Sequence, residues 1–144
     1  MKSKRVIMSR RSGFTLIEIM VVVVILGLLA ALVVPRIGPQ VAEAQRTSAQ
    51  TQIRSIEDAL EMYRMHNGFY PSTQQGLEAL VTAPTTSPVP RRYQEGGYMK
   101  KVPEDPWGNP YVYRNNNGRI SIVSYGPDGE EGGEGVNADI SNED

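Results

Sequence analysis

Cysteine is missing from the sequence, and its 144 residues include a single histidine, His66. The absence of cysteine excludes disulfide bridges, thiolate metal sites and cysteine nucleophiles. A lone histidine has no second one with which to hold a metal ion, and no G-x-S-x-G motif supplies a serine nucleophile. We therefore interpret His66 as a surface residue, and we expect the chain not to be an enzyme.

Acidic residues are missing from the start of the chain, which carries Lys2, Lys4, Arg5, Arg10 and Arg11. Five of the 15 basic residues lie there and none of the 16 acidic residues does, so the rest of the chain is net acidic. Because contacts to phosphates need clustered Lys and Arg side chains, we expect no nucleic-acid partner.

Polar residues are scarce in the stretch Phe14–Val34, where Glu18 is the one charged residue. A helix of this length spans about 31 Å, close to the hydrocarbon thickness of a bilayer. A secretory signal peptide has a shorter apolar core and a small-residue cleavage site after it. A plain membrane anchor explains the basic flank. It leaves Glu18 unexplained, because a carboxylate within an apolar span costs about 2.5–3.5 kcal/mol.

The motif GFTLIE, from Gly13 to Glu18, resembles the prepilin signal of type IV pilins and type II secretion pseudopilins. The resemblance implies that a prepilin peptidase cuts between Gly13 and Phe14 on the cytoplasmic side. It implies that Phe14 is then N-methylated and that Glu18 becomes the fifth residue of the mature chain, where it serves assembly. Pro35 matches the proline that kinks the helix in this family, since proline cannot donate a helical hydrogen bond.

Glu18 then gains a possible counter-ion. Cleavage creates an ammonium group at Phe14, and opposite charges attract strongly where water is excluded. Within one helix the two groups lie one turn apart, and between staggered neighbours Glu18 of one subunit can meet Phe14 of the next. We therefore expect Glu18 to set the register of a polymer.

The chain becomes amphipathic beyond Pro35. Apolar residues recur there at spacings of three and four, which predicts one buried helix face packed on a sheet. These residues are Ala49, Ile53, Ile56, Leu60 and Tyr63. The pair Asn67-Gly68 predicts the end of this helix.

The remainder of the chain predicts a small globular region. Ser72 and Gln75 predict a capping box that opens a short helix. The runs YVYR and RISIVSY, joined by NNNG, predict a β-hairpin. In the loop Asp105–Tyr111, we interpret Trp107 and Tyr111 as bulky anchors. The predicted fold class is α+β, with a long N-terminal helix packed on a small antiparallel sheet, as in pilins.

Three later segments narrow the resemblance, namely YPSTQQGLEALVTAP, GGYMKKVPEDPWGNPYVY and SYGPDGEEGGEGVNADI. In order and spacing they are similar to the general secretion pathway protein G family, the major pseudopilins of type II secretion. The resemblance covers Ser12 to Ile140. Type IV pilins usually close their C-terminal region with a disulfide, which this chain cannot form.

The resemblance implies four parts: a cleaved cytoplasmic leader at 1–13, a transmembrane helix at 14–34, the soluble half of the helix at 35–67, and a periplasmic globular region at 68–144. It implies a single-pass inner-membrane protein with a periplasmic C-terminus that polymerises into a periplasmic pseudopilus and promotes export of folded proteins across the outer membrane. The implied partners are further copies of the chain, minor pseudopilins, an inner-membrane assembly platform and the prepilin peptidase.

Two other functions stay open from the sequence alone. One is a type IV pilin for adhesion, motility or DNA uptake, and the other is a membrane-anchored periplasmic enzyme or binding module. Processing at Gly13 separates the pilin-like functions from the last.

The C-terminal segment is rich in glycine and acidic residues. Calcium prefers oxygen ligands from carboxylates and carbonyls, but the EF-hand pattern is absent. The residues alone therefore favour a disordered acidic tail over a calcium site. The resemblance implies one Ca²⁺ ion held by the carboxylates of Asp128 and Asp139 and by the carbonyl of Tyr125. The carbonyls of Val136 and Asn137 are further candidates.

Overall fold

The computed structural model of the chain describes residues 13–143, and at residues 34–37 it describes the backbone alone. The chain divides into two compact units, Met1–Pro39 and Gln40–Asp144. One α-helix, α1, runs from Leu16 to Asn67 and contributes to both units. The predicted leader lies outside the described residues except for Gly13. The backbone of α1 is helical through Pro35, and the kink predicted there stays a prediction.

The first unit consists, in its described part, of the apolar beginning of α1. The window Leu16–Val33 has a mean hydropathy of 3.1, and none of its residues is buried within the chain. By length and composition it can cross a membrane. Its apolar surface therefore has no cover from the described part of its own chain.

The second unit uses the amphipathic part of α1. The predicted stripe is confirmed, because Ala49, Ile53, Ile56, Leu60 and Tyr63 are all buried. The predicted helix end is confirmed as well. Gly68 has φ +84°, a left-handed conformation that favours glycine, and its N–H donates to the Arg64 carbonyl at 2.7 Å.

A three-stranded antiparallel sheet packs against this stripe, with β1 at Val112–Asn116, β2 at Arg119–Ser124 and β3 at Ile140–Ser141, in that order across the sheet. The predicted hairpin β1–β2 is confirmed. Its turn residues Asn117 and Gly118 both have positive φ, at 54° and 93°, as a type I′ turn requires. The sequence did not predict β3, because two residues carry no alternation pattern.

The core lies between α1 and one face of the sheet. Along β2 the buried residues alternate with partly exposed ones, as expected for a strand with one covered face. The fully buried side chains include Leu60, Leu80, Ile122 and Ile140. This core joins the helix, the hairpin and the C-terminal strand into one folded unit.

The short helix predicted after Ser72 differs in type from the prediction. The capping box itself is confirmed, with Ser72 N–H donating to Gln75 Oε1 at 2.9 Å and Gln75 N–H donating to Ser72 Oγ at 3.2 Å. The helical part is a 3-10 helix of four residues, Leu77–Leu80. Gly76, with φ +61°, separates the box from it, because that conformation interrupts an α-helix.

Aromatic rings pack around the C-terminal end of α1. Tyr63 packs against Phe69, Tyr93 and Tyr98 with ring centroids 5.3–6.2 Å apart. Burial raises the pKa of Tyr63 to about 12. His66 is exposed, as expected, and its Nδ1 lies 3.1 Å from the Tyr98 hydroxyl. The histidine thus belongs to the rim of this aromatic cluster.

Candidate functional site

Glu18, the predicted assembly residue, lies in the first turn of α1. Its Oε2 accepts a hydrogen bond from the Thr15 N–H at 2.9 Å, and its own N–H donates to Thr15 Oγ1 at 3.3 Å. This reciprocal pair is a capping box, which satisfies two of the free N–H groups at a helix start. The carboxylate also lies at the positive end of the helix dipole.

Thr15 is a helix-capping residue that the sequence analysis missed. The signal was present, because TLIE fits the pattern of Ser or Thr followed three residues later by Glu before an apolar run. The cap lowers the cost of the carboxylate in a single subunit. It leaves the negative charge in place, and among the described residues Glu18 makes no ion pair.

Gly13 and Phe14, the predicted processing pair, stand just before this turn. Both are exposed, with Phe14 exposed to 86%. A terminal Phe14 would therefore present its ammonium and its ring to neighbouring molecules.

The second candidate site is the loop between β2 and β3. Two short 3-10 turns, Gly126–Asp128 and Gly135–Asn137, form its ends. A Cβ on Gly126 would lie 3.6 Å from the carbonyl oxygens of both Asn137 and Ala138. The two ends of the loop therefore lie against each other.

The predicted calcium ligands lie at these two ends. Tyr125 immediately precedes the first turn, and Asp128 ends it with its Oδ1 accepting the Glu130 N–H at 3.2 Å. Asp139 directly precedes β3, and its Oδ2 accepts the Gly132 N–H at 2.9 Å. Its Oδ1 is buried and has no hydrogen-bond partner among the described residues.

The donor chemistry of the loop fits calcium. A buried carboxylate oxygen without a partner is costly, so Asp139 Oδ1 calls for a hydrogen donor or a cation. Within residues 13–143 no group of three or more His, Cys, Asp or Glu side chains could hold a metal. A cation here would therefore need carbonyl oxygens beside the two aspartates, which is a ligand set that calcium accepts.

Charge in the loop is only partly balanced. Glu131 lies 3.5 Å from Arg114 and is exposed, so this ion pair contributes little. Among the described residues, the other acids of the loop make no salt bridge, including Asp128, Glu130, Glu134 and Asp139. A bound cation would reduce the repulsion among them.

The N-terminal segment defines a class. A family profile described as the prokaryotic N-terminal methylation motif matches residues 8–34. The chain thus carries the signal of proteins whose N-terminal residue is methylated. A second profile, described as type II secretion system protein G, matches residues 36–143.

Curated relatives agree with the second profile over nearly the whole chain. The type II secretion system core protein G of Vibrio cholerae is 53% identical over 137 residues, covering 94% of this chain and 93% of the relative. The protein of the same name from Pseudomonas aeruginosa is 55% identical over 135 residues, covering 92% and 95%.

A solved structure shares the fold. The crystal structure of the major pseudopilin from the type 2 secretion system of enterohaemorrhagic Escherichia coli has a TM-score of 0.65 and 40% sequence identity. The match covers 72% of this chain and 87% of that one. The chain belongs to the type II secretion system protein G family, and the predicted family and fold class are confirmed.

Proposed function

We propose that this chain is the major structural subunit of a type II secretion pseudopilus, which polymerises to promote the export of folded proteins across the outer membrane. The observation that carries the proposal is the exposed apolar window Leu16–Val33, which begins with the capped carboxylate of Glu18. The names of the relatives favour a secretion role over a type IV pilin. Those names describe parts of a secretion machine, in agreement with a structural role.

The apolar window needs two successive environments. Lipid covers it while the subunit waits in the inner membrane, with the C-terminal unit in the periplasm. Helices of neighbouring subunits cover it in the filament, where close packing replaces the contacts with lipid. Minor pseudopilins and an inner-membrane assembly platform are the proposed partners of this transfer, and nucleic acid has no part in it.

Processing prepares the first residue for assembly. The prepilin peptidase cleaves between Gly13 and Phe14, and methylation of Phe14 leaves its positive charge in place. In the filament, the Phe14 ammonium of one subunit pairs with Glu18 of its neighbour. The capping box supports this sequence of events, because it holds Glu18 at the helix terminus until a cation arrives.

Mass spectrometry of the mature N-terminus tests the processing step, and we expect a chain that begins with methylated Phe14. A mature chain that starts at any other residue would contradict the proposal. Deletion of the gene should leave secreted proteins trapped in the periplasm, whereas normal secretion would contradict the proposed role.

Two substitutions at Glu18 separate its charge from its cap. Glu18→Gln can still accept the Thr15 N–H but has no charge, whereas Glu18→Ala loses both. We expect neither variant to form filaments, because the ion pair requires the carboxylate. Filament yield from membranes is the measurement. The control is Glu43→Gln, which removes the charge of another exposed acid on the same helix. Normal yield from Glu18→Gln would contradict the ion pair.

We also propose that the C-terminal loop binds one Ca²⁺ ion through the carboxylates of Asp128 and Asp139 and the carbonyl of Tyr125. The unpaired Asp139 Oδ1 supports this proposal. When bound, calcium would neutralise part of the acidic charge and hold the two ends of the loop together.

Thermal melting with calcium and with a chelator tests the site. We expect a higher melting temperature with calcium, because a ligand that binds only the folded state stabilises it. Asp139→Asn should abolish the difference, whereas Glu134→Gln, which alters an exposed acid of the same loop, should preserve it. Identical melting curves for the unsubstituted chain would remove calcium from its function.

A further inference from the structure

The loop Asp105–Tyr111 contains a buried carboxylate, Asp105, that is not among the proposed calcium ligands or the proposed assembly residues. Asp105 is only 5% exposed. Its Oδ1 accepts the N–H groups of Trp107 at 3.1 Å and Asn109 at 2.8 Å, and its own N–H donates to the Asn109 carbonyl at 2.8 Å. This side chain therefore closes the loop into one rigid turn.

The same turn presents two side chains to the start of the C-terminal loop. Asp105 Oδ2 lies 2.7 Å from Ser124 Oγ at the end of β2. Asn109 Nδ2 donates to the Gly126 carbonyl at 3.2 Å. A Cβ on Gly129 would lie 3.4–3.6 Å from the Asn109 side-chain amide, so Asn109 lies beside Gly129, the residue that follows the first 3-10 turn, as well as beside Gly126.

The direction of these hydrogen bonds is fixed by chemistry. Between Ser124 and Asp105, the hydroxyl donates its one hydrogen and the carboxylate oxygen accepts it. The lone pairs of Ser124 Oγ are then free to accept the Gly126 N–H, which lies at 3.2 Å. A chain of hydrogen bonds therefore runs from Gly126 through Ser124 to Asp105.

The Gly126 N–H belongs to the same peptide plane as the Tyr125 carbonyl. In a planar trans peptide the N–H and the C=O point in opposite directions, so holding one orients the other. Asp105 and Ser124 thus set the direction of the Tyr125 carbonyl, and Asn109 holds the next carbonyl of the chain. Ser124 is fully buried, which protects this arrangement from competing water.

We propose that Asp105, Asn109 and Ser124 are positioning residues that pre-orient the Tyr125 carbonyl and the turn leading to Asp128 for a divalent cation. This inference rests on the proposed calcium site. Groups that orient metal ligands typically contribute 10–100-fold to affinity. The function of the Asp105 loop is then to hold the calcium site ready before the ion arrives.

Calcium titration of the full chain in detergent micelles, by isothermal calorimetry, tests the proposal alongside its melting temperature in chelator. We expect Ser124→Ala to weaken calcium affinity about tenfold or more, because the Gly126 N–H loses its acceptor. The matched control is Tyr113→Phe, which removes another buried hydrogen bond of the same sheet, from the Tyr113 hydroxyl to the Pro71 carbonyl at 2.8 Å. It should lower the melting temperature in chelator and leave calcium affinity unchanged.

Two further variants keep the result decisive. Ser124→Thr restores the hydroxyl and should recover affinity relative to Ser124→Ala, even where its extra methyl group lowers the melting temperature. Asn109→Ala should weaken binding too, and it serves if Ser124→Ala does not fold. Unchanged affinity in Ser124→Ala or Asn109→Ala, or equal losses in Ser124→Ala and Tyr113→Phe, would overturn the inference. Absence of binding by the unsubstituted chain would instead overturn the calcium proposal and this inference with it.

Discussion

The two parts of helix α1 differ in how their apolar side chains are covered. Between Leu16 and Val33 no residue is buried, whereas Ile56, Leu60 and Tyr63 further along have no exposed surface. Both parts contain many apolar residues, but only in the second do apolar and polar residues alternate at helical spacing. The second part has a polar face that lies in water while its apolar face is buried. The first part has no polar face.

The difference separates a region that folds against its own chain from one that needs other molecules. The second part has its sheet, its 3-10 helix and its aromatic cluster in the same unit. The first part has no cover within residues 13–143, and the proposed function covers it with lipid and then with the helices of further subunits. Stability and assembly are therefore separate properties of one helix.

Substitution of one leucine in each part gives the strongest test of this separation. Leu60→Ala should lower the free energy of unfolding of the C-terminal unit by about 2–5 kcal/mol, because it leaves a cavity in the core. Leu28→Ala, at a side chain exposed to 64%, should leave that free energy unchanged. Denaturant unfolding followed by the fluorescence of Trp107, the one tryptophan, is the measurement.

Filament assembly should respond to the substitution in the first part of α1. Leu28→Ala should reduce filament yield, because in the proposed filament its side chain packs between subunits. If Leu28→Ala destabilises the C-terminal unit as much as Leu60→Ala does, the two parts of α1 are not independent and the comparison fails.

The elements with strong local patterns were predictable from the sequence. The stripe Ala49–Tyr63, the stop at Gly68 and the Asn117-Gly118 turn each combine a periodic pattern or a turn signal with one conformation. The 3-10 helix at Leu77–Leu80 was predicted as an ordinary helix, since nothing in the residue types reveals that Gly76 adopts a positive φ. The strand β3 depends on pairing with β2, which no local pattern encodes.

The candidate sites were less predictable than the fold. The motif at Gly13–Glu18 predicts an assembly role for Glu18, which stays a prediction. It also contains the capping pattern of Thr15, which the sequence analysis overlooked and the structure reveals. The proposed calcium residues came from resemblance, because seven acids in a glycine-rich segment do not reveal which oxygen is buried. The bonds from Asp105 to Ser124 and from Asn109 to Gly126 join segments far apart in sequence, so spacing could not predict them.

Two adjacent glycines in the loop between β2 and β3 allow a similar comparison within the C-terminal unit. Gly132 and Gly133 both have positive φ, at 99° and 91°. A Cβ on Gly133 would clash with the Asn137 carbonyl oxygen, whereas a Cβ on Gly132 would meet nothing within 4 Å. Each change to alanine should cost about 1–2 kcal/mol in backbone strain.

Gly133→Ala should also push the Asn137 carbonyl away and so open the loop, whereas Gly132→Ala acts through strain alone, at the residue whose N–H donates to Asp139 Oδ2. We expect it to weaken calcium binding more than Gly132→Ala does, because the backbone around Asn137 must move. Calcium titration of both variants, with melting in chelator to measure the shared strain, distinguishes these effects. Equal calcium affinities would contradict the close packing of Gly133 on Asn137.

The smallest expected effect concerns Glu61, an acid in the amphipathic part of α1. Glu61 accepts a hydrogen bond from the Tyr70 hydroxyl through Oε1, and Arg64 donates to its Oε2 at 2.9 Å. The hydrogen bond from Tyr70 is the main reason that the pKa of Glu61 is lowered; burial opposes the shift, and Arg64 adds to it.

A lowered pKa in the folded state stabilises the fold above the ordinary carboxyl pKa, and this stabilisation is lost as the pH falls through the folded value. Tyr70→Phe should raise the pKa of Glu61 towards its ordinary value. The stabilisation from Glu61 should then be smaller, and its loss on acidification should be complete at a higher pH. The effect should be small because the Glu61 side chain is 42% exposed and solvent screens its interactions. NMR titration of the Glu61 carboxyl measures it, with Tyr98→Phe as the control, since the Tyr98 hydroxyl bonds His66 and Asn67 instead. An equal shift in both variants would mean that the aromatic cluster as a whole, and not the Tyr70 hydroxyl, controls the charge on this face of the helix.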